Sequence, residues 1–211
     1  MAKAVIFDRD GIIIDSELVN VNSAVSALKT LGIEIKEEEK KCIIGRHPDD
    51  YNKDFLKNYE YPSESFRKIQ RKNYHKLFDT APLFEDIITL IKKLKGVLPT
   101  ALTTASSMRS TKALLKRAKL EDSFDVIVTT EDYEKRKPAP DAYILTAKKL
   151  NIAPKDCVAI EDTSIGLQSA KKAGMKCIVI PTEFTKEQDF SQADMIIASG
   201  KDITIEMLKE M

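Results

Sequence analysis

Six short apolar runs recur along the chain: "AVIF" at 4–7, "TALTT" at 100–104, "DVIVTT" at 125–130, "CVAIE" at 157–161, "CIVI" at 177–180 and "DMIIA" at 194–198. Their apolar residues are continuous rather than alternating, and a strand without a polar face must be covered on both sides. Between them lie "SSMRSTKALLKRAKL", "APDAYILTAKKLN" and "SIGLQSAKKAGM", with apolar residues at helical intervals of three and four. The last ends at Gly174, a suitable C-cap. Strand alternating with helix requires right-handed crossovers, so the expected fold is α/β with a doubly wound, Rossmann-like parallel sheet.

Residues 16–80 break that rhythm. "SELVNVNSAVSALKTLG", "EEEKKCII" and "ESFRKIQRKNYHKLF" all read as helix, and no convincing strand lies among them. A helical block of roughly 65 residues is too long for an ordinary crossover. It is therefore expected to be an inserted all-helical cap domain at 16–80, joined through "IIIDSE" and "DTAPLF" to a core made of 1–15 and 81–211.

With 211 residues, 43% of them hydrophobic, the chain can build one good core and a small appended module. Lys and Arg number 34 against 33 Asp and Glu, so no global field draws nucleic acid or an anionic membrane. No window approaches the ~18 apolar residues of a spanning helix, and the first strand begins too early for a secretory signal to precede it. Cys42, Cys157 and Cys177 show no CxxC spacing, and the last two lie in apolar runs. Reduced, packed thiols in a cytoplasmic protein are the expectation. His47 and His75 are too few for a histidine metal site and read as bystanders. Nothing in the chain speaks to oligomeric state, and a monomer is the default.

In a doubly wound sheet, ligands bind beyond the carboxyl ends of the strands. Those ends carry Asp8 and Asp10 after the first run, Thr103 and Thr104 after the second, and Glu161 and Asp162 after "CVAI"; "KRKPAPD" adds Lys137 before a helix that Pro138 could begin. Four carboxylates around a small space are costly without a cation, and an all-oxygen set suits Mg²⁺. Lysine and hydroxyl donors suit phosphate oxygens. Taken singly each signal has a plainer reading: the Asp-x-Asp as a solvated turn, the Glu161-Asp162 pair as a helix cap, Lys137 as part of a basic loop. Their occurrence together at the strand ends favours chemistry.

"FDRDGIIIDSE", "LTTASS", "KRKPAPD" and "AIEDTSIGLQSAKKAG" resemble, in that order, the four motifs of the haloacid-dehalogenase-like hydrolases. The helical insert resembles the cap of the branch containing beta-phosphoglucomutase and many small-molecule phosphatases. The resemblance implies that Asp8 is the nucleophile and forms an aspartyl phosphate, and that Asp10 is the general acid and then the base. It implies Mg²⁺ held by Asp8, the Asp10 backbone carbonyl, Asp162 and Glu161, the last directly or through water. Thr104 and the N–H groups of Ala105 and Ser106 would meet the phosphoryl oxygens. Lys137 would offset charge on the phosphoryl group and on Asp8. Glu17 and Arg46 would contact substrate from the cap, and Gly11 would supply a tight turn.

Three departures matter. Arg9 stands where the family usually has an apolar residue, and the sequence alone offers no account of it. "PLFEDI" replaces the usual Pro-x-Gly at the cap exit. Asn20 takes a position held by histidine in the mutase branch, and an amide does not titrate, which favours phosphatase over mutase. Arg46 keeps the mutase alternative open. The resemblance thus implies a Mg²⁺-dependent phosphatase acting on a small phosphorylated metabolite, with a phosphohexomutase as the alternative. A non-enzymatic phosphoacceptor is the remote third reading, disfavoured because a signalling switch has no need of a water-excluding cap.

Overall fold

The first strand, β1 (Ala4–Phe7), is buried at every residue. That is the environment its uninterrupted apolar composition demands. In the computed structural model, which describes residues 1–40, 43 and 63–211, it is the third strand of a six-stranded parallel sheet. The other strands are β2 (Thr100–Thr103), β3 (Val126–Val128), β4 (Cys157–Glu161), β5 (Lys176–Val179) and β6 (Met195–Ile196). The spatial order is β3-β2-β1-β4-β5-β6, and all five pairings are parallel. The chain winds outward from β1 through β2 to β3, then returns to β4 on the other side of β1. The order reverses between β1 and β4, the place where open α/β sheets hold their ligands.

Helices α4 (Glu85–Leu94), α5 (Met108–Ala118), α6 (Asp141–Leu150), α7 (Ser164–Lys172) and α8 (Ile205–Glu210) belong to the same unit, which comprises 1–14 and 83–211. One core cluster joins Ala4, Ile6, Ala159, Cys177 and Val179 of the sheet to Tyr143 and Ala147 of α6 and Leu167 and Ala170 of α7. Val5 and Phe7 point to the opposite face by the two-residue period of a strand, where Phe7 meets Phe124 edge-on at 6.2 Å. Cys157 and Cys177 are buried free thiols; Cys42 lies outside the described residues.

One helix start differs from the expectation, and another removes a plainer reading of the acidic pair. Pro138 does not begin α6: Pro140 is its N-cap and Asp141 its first residue, and the Lys137–Pro138 peptide bond is cis. Nor does the acidic pair cap α7. Thr163 does so, its hydroxyl accepting from the Gly166 N–H at 3.1 Å. At the other end Gly174, with φ +84°, follows the C-cap Ala173 and allows the Met175 N–H to reach the Ala170 carbonyl at 3.1 Å.

The second unit comprises 15–82, and its described elements are helical: α1 (Ser16–Thr30), α2 (Glu37–Lys40) and α3 (Ser63–Phe78). Asp15 caps α1 by accepting from the Leu18 N–H at 3.1 Å. Val19, Ala24, Ala27 and Leu28 of α1 and Phe66 and Phe78 of α3 are buried. The Gln70 amide donates to Asn20 Oδ1 at 3.3 Å, tying α3 to α1. Among the described residues no helix is long and apolar enough to cross a membrane.

Candidate active site

Strand register brings the acids together. Phe7 pairs with Ile160 across β1 and β4, and the Asp8 N–H donates to the Ile160 carbonyl at 2.9 Å. The residue after β1 therefore stands beside the last residue of β4, Glu161. One carboxylate oxygen from each of Asp8, Glu161 and Asp162 lies within 4.8 Å of the others, and all three residues are buried. Lys137, from the loop before α6, bridges two of them: Nζ is 2.6 Å from Asp8 Oδ1 and 2.6 Å from Glu161 Oε1. The same Glu161 oxygen accepts from the Tyr143 hydroxyl at 2.5 Å, and Glu161 Oε2 accepts from the Asp162 N–H at 3.3 Å.

Two glycines make room for these carboxylates. Gly11 has φ +75°, and a Cβ there would lie 1.9 Å from Asp162 Oδ2. The expectation for Gly11 was a tight turn admitting a ligand; the turn is there, and what it admits is the Asp162 side chain. Gly166, in the first turn of α7, would place a Cβ 2.0 Å from Glu161 Oε2. An isolated glycine inside a helical pattern was the available signal for Gly166.

The electrostatics are those of an acidic cluster short of positive charge. Burial, followed by the neighbouring Glu161 and Asp10 carboxylates, pushes the Asp8 carboxyl up to about 7 although Lys137 opposes it. Asp162 is raised well above the usual carboxylate range, first by burial and then by Glu161 and Asp8. Burial alone would lower the Lys137 ammonium, but Asp8 and Glu161 override it and hold it above the usual lysine range. Oxygen-only donors, buried and in electrostatic excess over their cation, fit a hard divalent ion such as Mg²⁺ better than a thiophilic or imidazole-bound metal.

Asp10 is arranged differently. Its carboxylate takes no part in the three-oxygen group. Arg9 Nη2 donates to its Oδ1 at 2.7 Å and Arg9 Nε to its Oδ2 at 3.0 Å. Ser106 Oγ donates to Oδ2 at 3.0 Å and Thr104 Oγ1 at 3.4 Å. The two threonines after β2 separate cleanly: Thr104 faces this rim, whereas Thr103 turns into the core to share a 2.6 Å hydrogen bond with Thr146 of α6. The Ser106 N–H, expected to await a phosphoryl oxygen, instead donates to Thr104 Oγ1 at 3.0 Å. That short-range bond forms because a hydroxyl two residues back closes a local turn. Ala105 is exposed.

The remaining candidates lie in the helical unit. Glu17 stands in the first turn of α1, half-buried, and accepts from the Asn20 amide at 3.4 Å. Arg46 and His47 lie outside the described residues. His75 is exposed on α3. Sequence reasoning did not find the Tyr143 hydroxyl, the Ser106 hydroxyl or the partner of Arg9, since none belongs to a spaced pattern. Each depends on which elements the fold makes neighbours.

Residues 5–180 match the family model described as "Haloacid dehalogenase-like hydrolase". The chain belongs to this family. It is thus a haloacid dehalogenase-like enzyme of the phosphatase and phosphomutase type. Hexitol phosphatase B of Escherichia coli (strain K12) is 29% identical over 210 residues, covering 95% of this chain and 94% of that protein. Beta-phosphoglucomutase of Bacillus subtilis (strain 168) is 28% identical over 217 residues, covering 99% and 94%. Among solved structures, CbbY from Rhodobacter sphaeroides in complex with phosphate superimposes with a TM-score of 0.82 at 26% identity, covering 99% of each chain.

Proposed function

We propose that this haloacid dehalogenase-like enzyme is a Mg²⁺-dependent phosphomonoester hydrolase that acts on a small phosphorylated metabolite through an aspartyl phosphate on Asp8. The observation that carries this reading is the buried cluster in which Lys137 bridges Asp8 and Glu161 at 2.6 Å each, with an Asp162 oxygen within 4.8 Å of theirs. A relative named for a hexitol phosphate substrate and a neighbour solved with phosphate support the substrate class.

An anionic nucleophile repels a phosphate dianion by about 4 kcal/mol per pair of unit charges at 4 Å and an effective dielectric of 20. Bound among Asp8, Asp162, Glu161 and the Asp10 backbone carbonyl, Mg²⁺ would supply the charge that offsets this repulsion. The Asp8 carboxylate attacks phosphorus as the ester P–O bond breaks, and Asp10 gives the leaving oxygen its proton. In the second half Asp10 takes a proton from water as that water attacks phosphorus, releasing phosphate and restoring Asp8. Thr104 and Lys137 donate to the phosphoryl oxygens.

The test is a panel of sugar, alditol and carboxylic-acid phosphates assayed with Mg²⁺ and with chelator, following both free phosphate and isomerised product. Release of phosphate that stops on chelation is expected. A phosphohexomutase, the second reading suggested by the beta-phosphoglucomutase relative, would interconvert hexose phosphates with little free phosphate. Asn20 counts against that reading, since its amide joins Glu17 to Gln70 and carries no titratable proton.

Metal binding should also appear in stability, with a definite pH dependence. Asp8 rises from 3.8 to about 7 on folding without metal, so the folded chain keeps a proton that the unfolded chain has released. Metal-free stability therefore falls as pH rises from about 4 to 7, and the loss is complete above that window. A displacement of that size corresponds to a loss on the order of 4 kcal/mol. Millimolar Mg²⁺ is expected to raise Tm by roughly 5–10 °C at pH 7.5 and by much less at pH 5. Equal shifts at the two pH values, read by calorimetry, would contradict the assignment.

A further inference from the structure

Arg9 is the bulkiest fully buried side chain among the described residues, with 1% of its surface exposed. A guanidinium is not withdrawn from water without partners of comparable strength, because an uncompensated buried charge costs several kcal/mol. Here the partners are specific. Nε and Nη2 grip the two oxygens of the Asp10 carboxylate at 3.0 and 2.7 Å, the parallel two-bond geometry available to arginine and not to lysine. Nη1 donates to Ser110 Oγ at 2.9 Å in the first turn of α5. Ser106 Oγ closes on the same carboxylate from the β2–α5 loop at 3.0 Å. The guanidinium is thus anchored in the protein while the Asp10 carboxylate keeps about one third of its surface exposed. Adjacent residues in a strand-end turn ordinarily diverge; this pair is folded back on itself, and α5 holds the fold-back in place.

We infer that Arg9 is a positioning residue: by a two-pronged ion pair anchored on Ser110, it holds the Asp10 carboxylate in the one orientation from which that group serves the leaving oxygen and the attacking water. The inference rests on the phosphatase reading of Asp8 and Asp10 and adds to it a residue that acts through the Asp10 carboxylate. A flexible carboxylate at the rim has several rotamers, and a misplacement of 1 Å in a proton-transferring group can cost about 10²-fold. Arg9 removes that freedom. The residue works through Asp10, so its contribution has to vanish when Asp10 can no longer transfer protons.

The experiment is a double-mutant cycle on the Mg²⁺-loaded full chain, with kcat/KM measured for an aryl phosphate (p-nitrophenyl phosphate) and for the best alkyl phosphate from the panel. Arg9→Met is expected to lower kcat/KM for the alkyl ester by roughly 10–100-fold. For the aryl ester, whose leaving group departs without a proton, the loss should be several-fold smaller. In an Asp10→Asn background Arg9→Met should cost less than about twofold. Arg9→Lys, which keeps the charge but loses the fork, should recover only part of the activity.

Equal losses for both esters, or the same loss in both backgrounds, would show that Arg9 merely packs the end of the sheet and would overturn the inference. Unchanged or faster alkyl-ester turnover in Arg9→Met would overturn it too. If Arg9→Met does not fold, Ser110→Ala loosens the same anchor from a half-buried helix position. It should give a smaller loss with the same bias toward the alkyl ester, and a loss without that bias would count against the assignment. Absence of hydrolysis in the wild-type chain is a different result: it would remove the phosphatase reading itself.

Discussion

Asp8→Asn is expected to lower kcat for phosphate-ester hydrolysis by roughly 10⁴-fold or more, since the nucleophile of a covalent route has no substitute within the cluster. Asp8 directly follows β1, and both its oxygens accept hydrogen bonds. Oδ1 accepts from Lys137 at 2.6 Å and Oδ2 from the Asp10 N–H at 2.9 Å. Those bonds aim the group and limit its motion, which is what an in-line attack on phosphorus requires. An amide keeps the volume but not the negative charge. Far-ultraviolet circular dichroism should show the same fold, and steady-state phosphate release should be lost for every ester in the panel. Mass spectrometry of quenched wild-type enzyme should find a phosphoryl adduct on the peptide containing Asp8, absent from the variant. Retention of more than a hundredth of wild-type kcat would mean that another group attacks phosphorus.

Lys137→Met carries the next largest expected effect, and it acts on folding as well as on turnover. Lys137 is 11% exposed and is the shared cation of Asp8 and Glu161; its ammonium also lies 4.9 Å from the centre of the Tyr143 ring. Removing one member of a buried ion pair leaves the others uncompensated, at a cost of about 3–5 kcal/mol. For a chain of this size that lowers the metal-free Tm by roughly 10 °C at pH 7.5. The penalty should shrink as pH falls below about 7, where Asp8 takes up a proton and no longer needs the charge of Lys137, and it should shrink when Mg²⁺ is added. Activity should fall by about 10²–10³-fold. A variant that melts like the wild type at pH 7.5 would show that the bridge contributes nothing to the resting cluster.

The two predictions separate groups that the sequence places far apart. Asp8 and Lys137 are 129 positions apart and share a 2.6 Å contact; Arg9 and Ser110 are 101 apart and share one of 2.9 Å. Such contacts have no local signature. The family's ordered motifs bring the carboxylates and the lysine into view, because motif residues recur at recognisable distances. The partners that hold them, Tyr143, Ser106, Ser110 and Gly166, carry no comparable pattern. The threonine pair shows the division in miniature: both hydroxyls stand at the end of β2, and only the alternation of the strand in its sheet sends Thr104 to the rim and Thr103 against Thr146.

The continuous apolar runs by themselves determined a parallel sheet with helices between its strands; β1, β2 and β4 are buried throughout, as such runs require, whereas at the edge β6 leaves Ile196 exposed. The acids at the strand ends likewise determined that charge gathers along one rim. Tertiary structure decided which charges meet. The β1–β4 pairing put Asp8 against Glu161, the glycines at 11 and 166 admitted the carboxylates of Asp162 and Glu161, and α5 turned Arg9 back onto Asp10. The physical reason is one of range. Hydrophobic periodicity is a property of neighbouring residues, whereas an ion pair forms wherever folding brings opposite charges within a few ångströms, however distant they are along the chain.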